Sequence, residues 1–275
     1  MEKQQIETPE TLRPNNRYLL EKIGAFGDGA RSLDFGCGNG ALVAAARRRG
    51  FDTWGAETYY DGIRSQDAVL ARSWECDENI IREIKDGRIG FPDNFFDVVV
   101  HNQVFEHVSD LRLAVLEIKR VLKPHGQMIG IFPTLGVIRE PHVGLPFVHW
   151  FAPGPARLFW ARVMRRMGFG FHFWGEGNSW FEPALAFLDE RVFFRSKKEI
   201  VSILSPLFHL EWVEPEWLGF RVPKFNWMLS LPLGSICARA FSRVMAGVVI
   251  VAVLIDDEEM NKKSVSVPFD SGGLR

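Results

Sequence analysis

Leu33-Asp34-Phe35-Gly36-Cys37-Gly38-Asn39-Gly40 is the stretch on which the fold turns. The β-prone run Arg31 to Phe35 ends in three glycines within five residues, and the alanine-rich run Ala41 to Arg49 follows as a helix. Three arginines fill the last turn of that helix and Gly50 lies just beyond it, which suits both the helix dipole and a glycine cap. A turn that leaves a strand and opens a helix points backbone amides outward, so this one reads as a ligand cradle.

Outward from the turn the pattern repeats. Leu12 to Ile23 precedes it as a helix, and Thr53 to Ala56 follows as a second strand closed by Glu57. Phe96 to Val100 reads as a strand and Ser109 to Leu122 as a helix. Lys123-Pro124-His125-Gly126 should stop that helix before the strand Gln127 to Phe132. Alternation of this kind predicts a doubly wound, mostly parallel α/β sheet with helices on both faces. After Pro133 the regularity fails, and only Pro155 to Met167 looks helical before Phe194. A long structureless loop does not suit a compact domain, so 134–194 is read as a partly helical insertion with its own task. Ser196 to Glu199 forms a capping box, and Phe208 to Val213 and Val248 to Ile255 are strands. The expected layout is a core of 1–133 and 195–256, an acceptor-binding or lid insertion of 134–194, and a fraying tail of 257–275.

Composition narrows the function. The 275 residues hold 33 Lys+Arg against 34 Asp+Glu, so no global positive field supports nucleic-acid binding. Cys37, Cys76 and Cys237 form no pair with metal-cage or disulfide spacing. The longest apolar run, Met245 to Ile255, is too short to span a bilayer, and the polar N-terminus lacks a secretory pattern; a cytoplasmic setting is the expectation. Aromatic residues are skewed: 14 of the 35 fall between Phe147 and Phe194.

Two acids sharpen the turn. Gly36, Gly38 and Ala41 fit the GxGxxA form of a nicotinamide-cofactor fingerprint, but Asp34 is poorly placed beside a pyrophosphate and well placed beside an ammonium group. Glu57, at the end of the second strand, suits the hydroxyls of a ribose. The ordered stretches LDFGCGNG, GAE, FPDNFFDVVVHNQVFEHV and EIKRVLKPHGQMIGIFP resemble the motifs of class I S-adenosylmethionine-dependent methyltransferases over residues 30 to 133. The resemblance implies a Rossmann-like sheet of seven strands, the last antiparallel, with the insertion after the fifth. It implies S-adenosyl-L-methionine as cofactor, held by Gly36, Gly38 and Gly40 with Asp34 at its amino end and Glu57 at its ribose. Tyr59 would lie against the adenine, Asp86 would take the adenine-side acidic position, and Asn102 with Gln103 would close the methyl-donor pocket.

The acceptor is read from the insertion. Transfer to a hydroxyl needs a general base, and His107, His142 and His149 are the candidates. Glu106 and His107 offer part of a divalent-metal site, but the sequence places no third ligand and no metal is assigned. Arg157, Arg162, Arg165 and Arg166 among aromatics suit a lipid-linked or phosphate-bearing small molecule, such as a glycolipid, a polyprenyl-linked sugar or an isoprenoid quinol. The resulting expectation is O-methylation of a sugar, glycolipid or isoprenoid-like acceptor, with no nucleic-acid partner and room for peripheral contact with the inner face of the membrane. The alternatives are an NAD(P)-dependent oxidoreductase, which would lack its Tyr-x-x-x-Lys pair, and a non-catalytic lipid- or sugar-binding protein on the same scaffold.

Overall fold

The computed structural model describes residues 6–59, 65–245 and 247–255, so the tail assigned to 257–275 lies outside the described residues. The first half alternates strand and helix: α1 (Pro14–Gly24), β1 (Arg31–Phe35), α2 (Ala41–Arg48), β2 (Asp52–Glu57), α3 (Gln66–Ser73), β3 (Ile81–Glu83), β4 (Phe96–Asn102), α4 (Leu111–Val121) and β5 (Leu122–Phe132). The insertion carries α5 (Pro155–Arg166) and α6 (Phe181–Arg191). The chain then returns through α7 (Lys197–Leu204), β6 (Phe208–Trp212), α8 (Glu214–Arg221), α9 (Asn226–Leu229), α10 (Gly234–Met245) and β7 (Val248–Leu254).

Seven strands form one sheet in the order β3-β2-β1-β4-β5-β7-β6. The first five are parallel, while β7 runs antiparallel to both β5 and β6. Side-chain alternation divides the core into two layers. Leu33, Val99 and Met128 face one apolar cluster with α4 and α7, whereas Val98, Val100, Ile129 and Ile131 face the other with α1 and α2. Each such buried aliphatic side chain contributes ~1.5–3 kcal/mol, so the central strands anchor the molecule.

The structure adds α3, β3 and α8, which the sequence reading did not place, and departs from it before β5 and in the insertion. Lys123 to Gly126 does not separate helix from strand: β5 begins at Leu122, directly after α4. A register shift opposite Phe96 to Val98 absorbs the irregularity, and Lys123 Nζ donates to both oxygens of Asp97 at 2.8 Å. In the insertion, α6 accommodates Pro183, which interrupts the helical sequence pattern but sits in the first turn, where its missing N–H costs little.

Cross-strand packing is tight where β4 meets β5. His101 faces Gly130 in register, is fully buried, and stacks on Phe105 with 3.8 Å between ring centres. Burial pulls its imidazole down to about 3, so it is neutral. A methyl group added at Gly130 would lie 2.1 Å from His101 Nε2. Gly130→Ala is expected to cost about 2–3 kcal/mol in urea unfolding, and His101→Ala in the same chain should recover part of that loss.

Candidate active site

The carboxyl ends of β1 and β4 open on a cavity of about 390 Å³. Its wall includes Asp34, Gly36, Gly38 and Asn39 from the turn, Asn102 and Gln103 from the end of β4, Gln66, Asp67 and Leu70 from α3, and Glu7, Arg13 and Asn16 from the N-terminal segment. The volume suits a nucleoside-sized ligand. Asn102 is fixed there, its Oδ1 accepting from Asn15 Nδ2 at 3.0 Å and its Nδ2 donating to Asn16 Oδ1 at 2.9 Å.

The turn is built differently from a phosphate cradle. The N–H groups of Gly36 and Cys37 both donate to Ala56 O, and that of Gly40 donates to Cys37 O. The Gly38 N–H donates to Glu57 Oε2 at 2.6 Å, while Thr58 N–H donates to Glu57 Oε1 at 2.7 Å. The row of outward amides expected from the sequence is therefore largely consumed inside the protein. The cavity is rich in acidic groups, with the carboxyls of Glu7, Asp34 and Asp67 against the single guanidinium of Arg13. Asp34 is 4% exposed, and burial together with Glu57 and Glu7 pushes its carboxyl up to about 8. Such a wall disfavours a pyrophosphate and favours a cation.

The three glycines serve separate ends. Gly38, at φ 54°, would aim a side chain into open space, so its absence leaves room for a ligand against the backbone. A Cβ at Gly36 would strike the Val104 side chain at 2.5 Å. Gly40 packs on Ile81 and is not part of the cavity wall. Glu57 also stands behind the wall, bracing Gly38. Tyr59 Oη donates to Gly38 O at 3.5 Å, and its ring packs with Cys37 and Ile81. Asp86 occupies an exposed turn bridged by Lys85 and Arg88 and does not line the cavity. Gln66, Asp67 and Leu70 do line it; their only trace in the sequence was Ser65, whose Oγ caps α3 by accepting from Ala68 N–H.

The three histidines fall in two places. His107, in the 3-10 turn Phe105–His107 just past β4, meets His142 of the insertion with 3.1 Å between their Nε2 atoms. His149 is separate: its ring packs 4.6 Å from Phe194, and neither ring nitrogen has a hydrogen-bond partner. It lines two further cavities, of about 510 and 270 Å³, which share Leu135, His149 and Trp150. The first adds Thr134, Ser196 and Lys197; the second adds Phe151, Leu188 and Phe194.

The insertion's arginines have structural partners. Arg157 is buried and grips Asp189 through both terminal nitrogens, Arg165 donates to Phe169 O and Gly170 O, and Arg162 lies over the Phe181 ring. Three of the four arginines read as an anionic-ligand patch thus hold the insertion together. Arg195 ties its end to the sheet, donating to Phe105 O, Val108 O and Ser109 O.

Residues 33–130 match the family described as a methyltransferase domain. An uncharacterized methyltransferase of Schizosaccharomyces pombe is 32% identical over 131 residues, 43% of each chain. A ubiquinone biosynthesis O-methyltransferase of Mesorhizobium japonicum is 30% identical over 133 residues, 46% of this chain and 51% of that one. The chain thus spans about half the length of the curated relatives it matches. Among solved structures, a geranyl diphosphate methyltransferase in complex with S-adenosylmethionine aligns with a TM-score of 0.46 at 15% identity, covering 87% of this chain and 83% of that one. Residues 33–130 therefore match a methyltransferase domain, and the curated relatives named here are methyltransferases over that stretch.

Proposed function

We propose that this protein transfers a methyl group from S-adenosylmethionine to a hydroxyl of a sugar, glycolipid or isoprenoid-like small molecule. The observation that carries the donor assignment is the acid-rich cavity around Asp34 and Gly38, which fits a ligand bearing a sulfonium and an ammonium better than any phosphate ester. When bound, that cofactor supplies an electrophilic methyl group. Asp34 would meet the cationic end of the ligand, Gly38 would give it backbone contact, and Asn102 would present a fixed amide at the mouth of the cavity. Exclusion of water and alignment of the two reactants are the protein's main contributions to an in-line displacement in which charge is lost.

The acceptor reading rests on the two cavities that share Leu135, His149 and Trp150, whose linings combine aromatic and aliphatic side chains with polar groups such as Thr134, Ser196 and Lys197. His149 is the candidate base there, since burial pulls its imidazole below the ordinary value and leaves it neutral at physiological pH. The ubiquinone O-methyltransferase relatives support an oxygen acceptor on an apolar molecule. Incubation with methyl-labelled donor and fractionated cell extract should place label in the lipid or glycan fraction; label confined to protein or nucleic acid would refute this acceptor class.

Contact with the membrane surface belongs to the same reading. No helix among the described residues is long and apolar enough to cross a membrane. Yet Trp227, Leu231, Leu233, Ile236 and Phe241 are exposed on the α9–α10 segment, and the sequence has no acid between Glu216 and Asp256. An apolar surface with only basic charges suits an anionic bilayer. The protein should float with vesicles containing phosphatidylglycerol, and Trp227→Ser with Ile236→Ser should abolish flotation; equal flotation of the double variant would exclude this face.

A further inference from the structure

His107 and His142 meet in a way that two neutral imidazoles do not on their own. His107 Nδ1 lies 2.7 Å from Arg191 O, a carbonyl that can only accept, so this nitrogen carries the ring's N–H. His142 Nδ1 lies 2.6 Å from Glu140 Oε1, and the Glu140 carboxylate is itself fully buried and held by the His142 and Val143 backbone N–H groups. In both rings the proton sits on Nδ1, leaving the lone pair on Nε2. Those two lone pairs face each other at 3.1 Å, an arrangement that is repulsive unless a positive charge lies between them.

A third group completes the set. Glu106 is 2% exposed, and neither of its carboxylate oxygens has a hydrogen-bond partner. A carboxylate oxygen of Glu106 and one ring nitrogen from each of His107 and His142 all lie within 4.8 Å of one another, the one such grouping of three among the described residues. A buried carboxylate without a partner is costly, and a metal ion resolves that cost.

We propose that Glu106, His107 and His142 bind one divalent transition-metal ion, with zinc the best match to a ligand set of two imidazoles and one carboxylate. Zinc–nitrogen bonds of ~2.0–2.1 Å place two adjacent ligand nitrogens ~2.9–3.4 Å apart at angles between octahedral and tetrahedral, a range that brackets the observed separation. The outer shell agrees as well: a ligating histidine typically donates its other N–H to a carboxylate or a backbone carbonyl, and here Glu140 and Arg191 O supply one of each. Three protein ligands leave a coordination position for water or an acceptor oxygen. The site joins the turn after β4 to the insertion, so the ion would also lock the insertion onto the sheet.

The sequence carried two of these ligands side by side; the third comes from a loop 35 residues later. Binding can be tested without donor, acceptor or turnover, so its outcome is separate from that of the methyl-transfer reading. The full chain, stripped with chelator and free of any histidine tag, would be titrated with Co²⁺ alone and followed by visible absorption, with Zn²⁺ competition read by calorimetry. The expected result is one site per chain, d–d bands between about 500 and 650 nm, displacement by Zn²⁺ and a higher melting temperature with metal. His142→Ala and the near-isosteric Glu106→Gln should each weaken binding at least ~10-fold, whereas His172→Ala, an exposed histidine elsewhere in the insertion, should leave it unchanged. Circular dichroism of each variant identifies any that fail to fold, and His142→Gln serves as the milder substitute. Absence of the bands, binding insensitive to Glu106 and His142, or an NMR titration showing one proton shared between the two rings in metal-treated protein would overturn the assignment.

Discussion

Asp34→Asn is expected to do two opposite things: to raise the melting temperature of ligand-free protein by several degrees, and to weaken S-adenosylmethionine binding by roughly 10- to 100-fold. The side chain is buried beside Glu57 and Glu7, and its carboxyl is pushed up to about 8. The folded state therefore retains a proton between the unfolded value near 4 and about 8, and ligand-free stability falls as pH rises through that window. Asparagine keeps the shape and removes the titration, so the variant should be more stable than the parent at pH 8 and nearly equal at pH 4. Binding behaves conversely. A cationic ligand displaces the proton, so affinity in the parent should climb as pH goes from about 6 toward 8, while the variant shows a flat profile over the same range. Scanning calorimetry and isothermal titration at three pH values measure both effects. A variant that loses stability, or that binds the donor as tightly as the parent, would exclude Asp34 as the cation's partner.

That prediction depends on a residue legible from sequence, and its context explains why. Asp34 lies at the end of a buried parallel strand, where backbone geometry alone determines which side chains meet the cavity. The same holds for Gly38 and Asn102, and for the strand order on which the site depends. Local pattern says less where a side chain's surroundings depend on a partner far along the chain. Glu57, expected at a ribose, accepts from the Gly38 and Thr58 amides, which the sequence does not foretell. The turn amides, read as free, are satisfied by Ala56 and Glu57 across the neighbouring strand. Asp67 and Glu7 reach the cavity through the packing of α3 and the N-terminal segment, for which no periodicity speaks. Arg157 pairs with Asp189, 32 residues along the chain and beyond any local window, whereas Arg165 turns back on the Phe169 and Gly170 carbonyls close by, a cap on which charge and spacing are silent.

The insertion supplies the second large effect, through Trp180. Its indole is fully buried, its Nε1 donates to Phe171 O at 2.7 Å, and the Arg165 guanidinium lies 4.9 Å from its ring. Around it Val143, Leu145, Ala161, Met164, Ala184 and Leu188 form an apolar cluster separate from the two layers of the sheet. Trp180→Ala removes the largest member of that cluster and is expected to cost about 3–5 kcal/mol of the insertion's stability. Because the clusters are separate, the loss should be local: hydrogen exchange should accelerate through α5 and α6 while β1, β4 and β5 stay protected. Donor binding at the turn after β1 should change by less than about twofold, since none of its wall comes from the insertion. Methyl transfer should fall by at least tenfold, because the cavities at His149 and Trp150 and the His107–His142 contact all depend on the insertion's placement. Equal loss of protection in the sheet and the insertion would instead show that the two fold as one cooperative unit, and that the division at residues 134 and 194 marks no boundary in stability.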